Sequence, residues 1–306
     1  MSAAPPILTL TGNLLLEHTL EFPGWKTGQT QRDTTESIQV GGKGINVSKM
    51  LHRLGAPNTA LAFAGGSAGR ACEEWLTARN FSFRLFPTTA PTRRGTVVRD
   101  ASGSQKETTF LGPDVAPEAA AVRACVAFLE AQPTGTVLAI GGSLPGWDSV
   151  EFDPLRDLLH RWPERGSLVV DTYGPPLAWF IDRAAALIRI NRTELETLCA
   201  PGERKLSSGE LLLKLRDRGR ALRWAVTDGP GPVWFLAEHN DPETLTGPVV
   251  REVSATGSGD VMLACTLFGR FHRGLSWRDA VAWSLPYAAA NAAHAGVAEF
   301  PDPPAP

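Results

Sequence analysis

The chain has 306 residues, 43% of them hydrophobic, and a formal net charge of -2 at pH 7. That length suits one large domain or two ordinary ones, and that apolar fraction allows a sizeable core. The balanced charge shows no basic run, and no apolar stretch approaches the roughly 20 residues of a membrane span. We therefore expect neither nucleic acid nor a membrane as a partner.

The start of the chain and its cysteines point to a reducing compartment. Residues Met1 to Pro6 lack the charged and apolar regions of a secretion signal. The six histidines do not cluster with the cysteines, which argues against a zinc site. We expect a cytoplasmic protein with buried free thiols. The four cysteines are widely separated, at Cys72, Cys125, Cys199 and Cys265.

Two threonine-rich stretches differ from the rest of the chain. They span about 12–40 and 88–112 and contain alternating runs such as Ser37-Ile38-Gln39-Val40 and Thr96-Val97-Val98-Arg99. Gly103, between Ser102 and Ser104, is typical of a hairpin turn. We interpret these stretches as a small antiparallel sheet, a β lid, inserted beside the main sheet of a single domain over 1–306.

A first glycine cluster follows the alternating run that ends at Val40. It reads Gly41-Gly42-Lys43-Gly44-Ile45-Asn46-Val47 and leads into an amphipathic helix that Gly55 should stop. Lys43 can hold an anion and Asn46 can bond hydroxyl groups. The alternative is an ordinary glycine-rich turn. The helical spacing is carried by Val47, Met50, Leu51 and Leu54.

Four short apolar runs in the middle of the chain predict buried parallel strands. Polar or glycine residues follow each run, and helical stretches separate them, which is typical of β-α units. Ligands bind outside the carboxyl ends of such strands, so these polar residues should face one cleft. The runs are 137–140, 168–170, 187–190 and 224–226.

A second glycine cluster lies near the C-terminus and carries the strongest functional signal. It reads Ser254-Ala255-Thr256-Gly257-Ser258-Gly259-Asp260, followed by an apolar helix. A helix start offers unpaired N–H groups to an anion, and Asp260 beside it could take a proton from an attacking hydroxyl. An anion-binding site with an adjacent base is the minimum that the transfer of a phosphoryl group to an alcohol requires. The alternative is that Asp260 only caps the helix.

Two long helices are predicted near the C-terminus. One starts at Asp260, and the other follows Ser276, where Asp279 gives capping-box spacing. Pro286 should kink or break the second helix. The proline-rich tail over 301–306 is expected to be disordered.

Together the two glycine clusters resemble the signature segments of the ribokinase/PfkB carbohydrate kinase family. The matching segments are Gly41 to Gly55 and Thr256 to Ala264, and the resemblance covers the chain from about Ile7 to Gly296. It implies a ribokinase-like three-layer α/β sandwich with a mostly parallel central sheet and a small β lid. Further matches lie at Gly142-Ser143-Leu144-Pro145, Asn191-Arg192-Thr193-Glu194 and Thr227-Asp228-Gly229.

Within the family, the chain is most similar to the sugar-phosphate kinases, such as 1-phosphofructokinase and tagatose-6-phosphate kinase. Thr92-Arg93 stands where that branch carries a Thr-Arg pair that helps hold the substrate phosphate. Lys43 and Arg93 are then expected to flank one phosphate. The alternative for Arg93 is a solvated arginine on an edge strand.

The chain departs from the family's pattern in its opening motif and at Ser254. The opening motif reads Asn13-Leu14-Leu15-Leu16-Glu17-His18, where the branch has Asn-Pro-Ala-x-Asp-Arg. Glu17 is one methylene longer than that Asp, so we expect the sugar either to bind in a shifted position or to be a different sugar. Ser254 replaces an Asp linked to bound potassium in ribokinase-type members, so no monovalent-cation site is expected.

The resemblance implies an ATP-dependent phosphotransferase acting on a sugar hydroxyl, most simply of a phosphorylated hexose, with a homodimer formed through the lid. Kinases of an unphosphorylated sugar or nucleoside, and a catalytically silent sugar-phosphate or nucleotide sensor, remain open. The implied sugar contacts are Asn13, Glu17, Gly42, Lys43, Asn46 and Arg93. The implied ATP contacts are Gly257, Ser258 and Gly259 at the phosphates, with Asn191, Thr227, Gly229 and Asn291 along the nucleotide. The implied Mg²⁺ ligands are Glu194 and Asn191, mainly through water.

Overall fold

The computed structural model describes residues 4–102 and 107–302, and its strands and helices alternate along most of that length. The strands are β1 (Ile7–Thr11), β2 (Leu15–Phe22), β3 (Thr35–Gly41), β4 (Asn58–Gly65), β5 (Phe83–Thr88), β6 (Arg93–Asp100), β7 (Thr108–Leu111), β8 (Val137–Gly141), β9 (Ser167–Asp171), β10 (Leu187–Asn191), β11 (Arg223–Thr227), β12 (Val233–Ala237) and β13 (Glu243–Leu245). The helices are α1 (Lys43–Arg53), α2 (Gly66–Ala78), α3 (Ala119–Glu130), α4 (Asp153–Arg161), α5 (Pro175–Phe180), α6 (Arg192–Thr197), α7 (Ser208–Arg218), α8 (Ser258–Phe271) and α9 (Trp277–Ala292).

The large sheet has nine strands in the order β13-β12-β11-β10-β9-β8-β1-β4-β5. Neighbours from β11 to β5 pair in parallel, while β12 pairs antiparallel with both β11 and β13. The four strands predicted in the middle of the chain are confirmed as β8 to β11. Their carboxyl ends lie at one edge of the sheet, which places the polar residues that follow them together.

The strands of the large sheet are buried on both faces. In β8, Leu138 and Ile140 pack into one apolar cluster with α3, α4 and α5, whereas Val137 and Ala139 pack into another with α1, α8 and α9. Successive strand residues point to opposite faces, so an almost continuous apolar run is needed to fill both clusters. The predicted three-layer α/β sandwich is confirmed. The four cysteines are free and buried, as predicted.

The smaller sheet, called the lid here, consists of β3, β2, β6 and β7 in that order. Its β2–β3 and β6–β7 pairs are antiparallel, but β2 and β6 run parallel, with Leu15 opposite Arg93. The prediction of a wholly antiparallel lid was therefore wrong, because alternation within a strand does not encode the direction of its partner. The predicted turn at Gly103 and Ser104 lies outside the described residues.

The lid is attached to the large sheet by a third apolar cluster. Leu16 and Val40 of the lid pack there with Leu76 of α2 and Ala62 of β4. Successive lid residues point to opposite faces of the lid. One face packs into this cluster, and the other face lines a cavity. Except for Gly41 at the end of β3, the lid strands lie within the two threonine-rich stretches about 12–40 and 88–112. The description of the chain as one domain stays a prediction.

The C-terminal helices differ from prediction in two details. Helix α8 begins at Ser258 and not at Asp260, because Gly257 is the N-cap with a left-handed φ of 75°. Helix α9 follows Ser276 as predicted, but it continues past Pro286 to Ala292. Its extensive packing on α8 outweighs the loss of one helical hydrogen bond.

The described end of the tail is not detached from the rest of the protein. Asp302 forms an ion pair with Arg53 at 2.6 Å, contrary to the expectation of disorder at that position. Residues 303–306 lie outside the described part of the chain. Of the described helices, none combines the length and apolar character that a membrane crossing requires.

Candidate active site

A cavity of about 330 Å³ lies between the lid and the carboxyl ends of the large sheet. That volume is within the range of small-molecule sites. Both glycine clusters line it, so Lys43 and Asp260 share one cavity although they are far apart in sequence. The inner lid face contributes alternate residues, among them Glu17 of β2 and Arg93 of β6.

The first glycine cluster fits closely against β1. Gly42 has a φ of 115°, and a Cβ there would lie 2.5 Å from Cγ2 of Thr11. A Cβ on Gly44 would lie 2.5 Å from Oγ1 of the same threonine. Only glycine permits this approach, which sets the start of α1 against the sheet and directs Lys43 and Asn46 into the cavity.

The second cluster forms the start of α8 and is called the anion loop here, residues 254–259. Gly257 needs its left-handed φ of 75°, and a Cβ there would meet the Val297 side chain at 2.5 Å. The first backbone N–H groups of a helix have no partner within the helix, so this turn can bind an anion. The Ser258 N–H donates to the Ala255 carbonyl at 3.2 Å, so the geometry agrees with the expected phosphate-binding role for Gly257 and Gly259 more directly than for Ser258. The role of all three stays a prediction.

Arg189 lies directly behind the anion loop. A Cβ on Gly259 would fall 2.1 Å from Nη1 and 2.2 Å from Nη2 of Arg189. The guanidinium is held by Asp171 at 3.0 Å and by Oγ1 of Thr227 at 3.0 Å. A fixed positive charge thus stands beside N–H groups that favour an anion.

Gly259→Ala is expected to lower stability by about 1–3 kcal/mol and to impair any activity that depends on the loop. The added methyl group overlaps a guanidinium that cannot move without breaking two hydrogen bonds. Urea unfolding and steady-state kinetics measure the two effects. Gly202→Ala is the matched control, since a Cβ there meets nothing within 4 Å. Equal stability of the two variants would contradict the tight fit at Gly259.

Asp260 is a buried acidic group in the cavity wall. It is 5% exposed, and its Oδ2 accepts a hydrogen bond from Nδ2 of Asn46 at 2.8 Å. Burial and, second, the negative charge of Asp171 raise the pKa of Asp260 from 3.8 to about 7. The capping alternative is wrong, because Gly257 is the N-cap and the Asp260 side chain bonds to α1. A carboxyl group with a pKa near neutrality is suited to accept a proton.

A buried charge cluster supports this carboxyl group. Nζ of Lys43 lies 2.6 Å from Oδ1 of Asp171 and 3.2 Å from Oε1 of Glu194, and Arg189 holds the other oxygen of Asp171. Burial favours neutral Lys43, but Asp171 and then Glu194 outweigh it and raise the pKa of Lys43. Lys43 and Arg189 likewise lower the pKa of Asp171 against its burial. Lys43, Asp171 and Arg189 are therefore ionised at neutral pH.

Sequence reasoning missed two members of this cluster. Asp171 was noted only as the end of a strand, and Arg189 was not considered. A signal for Arg189 existed, because a lone arginine inside the apolar run 187–190 must find a partner when both faces of the strand are buried.

Asn191 and Glu194 form a capping box at the start of α6. Oδ1 of Asn191 accepts from the Glu194 N–H at 2.8 Å, and Oε2 of Glu194 accepts from the Asn191 N–H at 2.8 Å. Lys43 binds the other oxygen of Glu194, so both carboxylate oxygens have a hydrogen-bond partner, and the predicted Mg²⁺ role of Asn191 and Glu194 stays a prediction. Within residues 4–102 and 107–302, no group of three or more His, Cys, Asp or Glu side chains could hold a metal ion.

The far end of the cavity carries a second set of polar groups. Nδ2 of Asn13 donates to Asp114 at 2.7 Å and to Ser143 at 3.0 Å, and Nη1 of Arg93 donates to the same Asp114 oxygen at 2.8 Å. Asp114 was not identified from the sequence. Glu17 of β2 lines the same cavity from the inner lid face.

Of the remaining predicted nucleotide contacts, Gly229 and Asn291, the second contacts the anion loop. Gly229 follows β11, has a φ of 54°, and has open space around its Cβ position. Asn291 is fully buried, and its Nδ2 donates to the Thr256 carbonyl at 3.0 Å and to Oγ of Ser258 at 3.1 Å. Its side chain thus supports the loop from behind, and direct contact with a nucleotide stays a prediction.

Comparisons with known proteins agree with this geometry. A family model described as pfkB family carbohydrate kinase matches residues 15–304. ATP-dependent 6-phosphofructokinase isozyme 2 of Mycobacterium tuberculosis is 30% identical over 270 residues, covering 87% of this chain and 78% of its own. 1-Phosphofructokinase of Haloferax volcanii is 32% identical over 280 residues, covering 90% and 87%. The structure of phosphofructokinase-2 from Escherichia coli in complex with substrates and products has a TM-score of 0.82 at 24% identity, covering 97% of this chain and 95% of that one, so the fold is shared.

Proposed function

This chain belongs to the pfkB family of carbohydrate kinases, and we propose that it transfers the terminal phosphoryl group of ATP to a hydroxyl group of a phosphorylated hexose. The observation that carries the proposal is the position of Asp260. Its buried carboxyl group lies at the start of α8, in the same cavity as the anion loop and the polar lid residues. A proton acceptor between a phosphate site and a sugar site is what this transfer requires.

Asp260 acts as the general base. Its ionised form takes the proton of the attacking hydroxyl, and the hydroxyl oxygen then forms a bond to the γ-phosphorus as the bond to the ADP oxygen breaks. The hydrogen bond from Asn46 holds the carboxylate in place without protonating it. Glu17, Asn13 and the backbone at Gly42 line the cavity where the sugar hydroxyls would bind.

The anion loop and Arg189 bind the transferred phosphoryl group. The N–H groups of Gly257 and Gly259 donate to it, whereas the Ser258 N–H, which donates to the Ala255 carbonyl at 3.2 Å, would first have to leave that partner. The guanidinium adds positive charge from behind. Glu194 and Asn191 suit Mg²⁺ held through water, because that ion keeps several waters and needs few protein ligands. When bound, Mg²⁺ neutralises charge on the phosphates of ATP.

Arg93 is the proposed contact for the phosphate that the hexose already carries. It projects into the cavity from the inner lid face at the end away from the anion loop. The Arg93 guanidinium now binds the Asp114 carboxylate, and a phosphate oxygen could take the place of that carboxylate oxygen. Lys43, which is paired with Asp171 and Glu194, faces the nucleotide side, so its predicted share in the same sugar phosphate depends on a change of partner.

Arg93→Ala is expected to raise the KM for a phosphorylated hexose about 10- to 100-fold, from the loss of a charge-assisted hydrogen bond of about 1.5–3 kcal/mol. The KM for ATP should change little. Arg94→Ala is the matched control, because Arg94 is exposed on the other face of β6 and binds Ser67 at 3.1 Å. Steady-state kinetics with both substrates varied measures the effect, and equal KM changes in the two variants would contradict the assignment.

The Asp114–Arg93 pair also favours a second candidate function. An arginine already occupied by a carboxylate suits an unphosphorylated sugar or a nucleoside. A screen of fructose 1-phosphate, fructose 6-phosphate, tagatose 6-phosphate, ribose and nucleosides with ATP–Mg²⁺ separates the candidates. Turnover only with unphosphorylated acceptors would favour the second function. Thermal stabilisation by a sugar phosphate and ATP–Mg²⁺, with no ADP formed, would instead identify a sensor.

The proposal includes a cytoplasmic homodimer formed through the lid. Its support is a set of exposed apolar side chains on the two edge strands of the lid, since exposed strand edges favour pairing with another chain. Buried free thiols suit a reducing compartment. The apolar lid residues are Ile38 of β3, 46% exposed, and Phe110 and Leu111 of β7, 59% and 53% exposed.

A further inference from the structure

Glu107 of the lid is bound to the anion loop. It directly precedes β7, and its side chain is 13% exposed. Oε1 accepts a hydrogen bond from Oγ1 of Thr256 at 2.9 Å, and Oε2 accepts from Oγ of Ser254 at 3.4 Å. The carboxylate of Glu107 therefore joins two parts of the cavity wall that are almost 150 residues apart in the chain.

On the lid side, Arg99 fixes the position of this carboxylate. Nε of Arg99 donates to Oε2 of Glu107 at 2.8 Å. Arg99 lies on the inner face of β6, in the same alternating row as Arg93 and Val97. The carboxylate is thus held by the strand that carries the proposed substrate-phosphate contact.

On the loop side, the contacts precede the N–H groups that are proposed to bind the phosphoryl group. Thr256 is the residue before Gly257, and its backbone carbonyl accepts a hydrogen bond from Asn291. The threonine is therefore held from two directions, with its carbonyl fixed to α9 and its hydroxyl fixed to the lid. Ser254 adds a second bond within the loop, because its Oγ accepts from the Thr256 N–H at 3.3 Å.

We propose that Glu107 is a positioning residue that couples the lid to the anion loop and so fixes the position of the sugar-binding face relative to the phosphate-binding N–H groups. The inference rests on the proposed kinase function. This relative position matters because a misplacement of about 1 Å between reacting groups can reduce a rate about 100-fold. Glu107 touches neither reacting group, and its effect on turnover passes through Thr256 and Ser254.

A double-mutant cycle tests the coupling. Glu107→Ala and Thr256→Val should each lower kcat about 10-fold, and the double variant should lower it little further, because both remove the same contact. Thr256→Ser keeps the hydroxyl group and should recover most of the turnover lost in Thr256→Val. Effects of the two single changes that multiply in the double variant would overturn the proposal.

Controls separate positioning from general destabilisation. Glu243→Ala removes a carboxylate that is paired with Arg278 on the surface, at 3.1 Å, and should leave kcat unchanged. Glu107→Gln, which keeps the size of the side chain, replaces Glu107→Ala if the latter does not fold. A kcat loss that appears equally in the Glu243 variant would overturn the assignment.

Hydrogen exchange of the protein without substrates provides a readout that does not depend on kinase activity. The amides of 254–261 should exchange faster in Glu107→Ala than in the unaltered protein, whereas those of β11 should not change. If the unaltered protein lacks kinase activity, the proposed function fails while this measurement still tests the coupling. Unchanged exchange at 254–261 would overturn it whatever the activity.

Discussion

Asp260→Asn is expected to lower turnover about 10²- to 10⁴-fold while substrate binding is retained, because the change removes the proton acceptor and keeps the shape of the side chain. The control is Asp279→Asn. Asp279 is the third residue of α9, as Asp260 is of α8, but it is exposed and bonds only to its own helix start and to Arg278. Near-normal turnover in the Asp260 variant would remove the base assignment.

The pH dependence of turnover follows from the same group. The pKa of Asp260 is raised to about 7, first by burial and then by Asp171. Turnover by the unaltered enzyme should therefore fall as the pH drops below about 7, since the protonated acid cannot act as a base. The residual turnover of Asp260→Asn should lack this acid limb. Initial rates between about pH 5 and 9 at saturating substrate measure both.

The same substitution should increase stability at alkaline pH. In the unfolded chain the pKa of Asp260 has its ordinary value of 3.8, whereas in the folded protein this pKa is raised to about 7. The unfolded state therefore binds fewer protons in this interval, and the aspartate costs stability as the pH rises through it. Asp260→Asn should resist urea better than the unaltered protein at pH 8, and the difference should vanish below about pH 4.

Asp171→Asn is expected to lower the free energy of unfolding by about 3–5 kcal/mol, because it leaves Arg189 without its carboxylate partner inside the protein. The Asp171 side chain is 0% exposed and holds two cations. Its pKa is lowered in the folded state, so this stabilisation is present above its ordinary value of 3.8 and is lost as the pH falls below it. Urea unfolding at pH 8 gives the magnitude.

A second effect of Asp171→Asn is separable from stability. Since the charge of Asp171 helps to raise the pKa of Asp260, its removal should move the acid limb of turnover to lower pH. Asp302→Asn is the control, because Asp302 is 85% exposed in its pair with Arg53 and should contribute less than about 1 kcal/mol. An unmoved acid limb, in a variant shown to be folded, would contradict the electrostatic link between the two carboxyl groups.

Local patterns predicted the parts of the fold that depend on local chemistry. The strands β8 to β11 are short apolar runs with polar ends, and α1 begins and ends at glycines that the sequence displays. The two glycine clusters also predicted where the cavity lies, because each marks the start of a helix. In the second cluster the acidic residue Asp260 is close in sequence to that helix start. Pro286 was misjudged because its cost is local, whereas the packing of α9 on α8 that offsets it is not.

The pairings that complete the site could not be predicted from local patterns. Arg189 with Asp171, Arg93 with Asp114 and Glu107 with Thr256 each join residues on different elements. Their identities follow only once the strand order is known. The parallel direction of β2 and β6 was hidden for the same reason, since each strand alternates in the same way whichever direction its partner runs.

The pairing of β2 with β6 also has a consequence for how the protein folds. Leu15 and Arg93 are separated in the chain by β3, α1, β4, α2 and β5, so their pairing closes a long loop. Contacts between distant chain segments form slowly, because closing a long loop costs entropy before any contact repays it. We therefore expect the lid over the Asp260 carboxyl group to form late in folding, so that a newly made chain completes its large sheet before the cavity is enclosed.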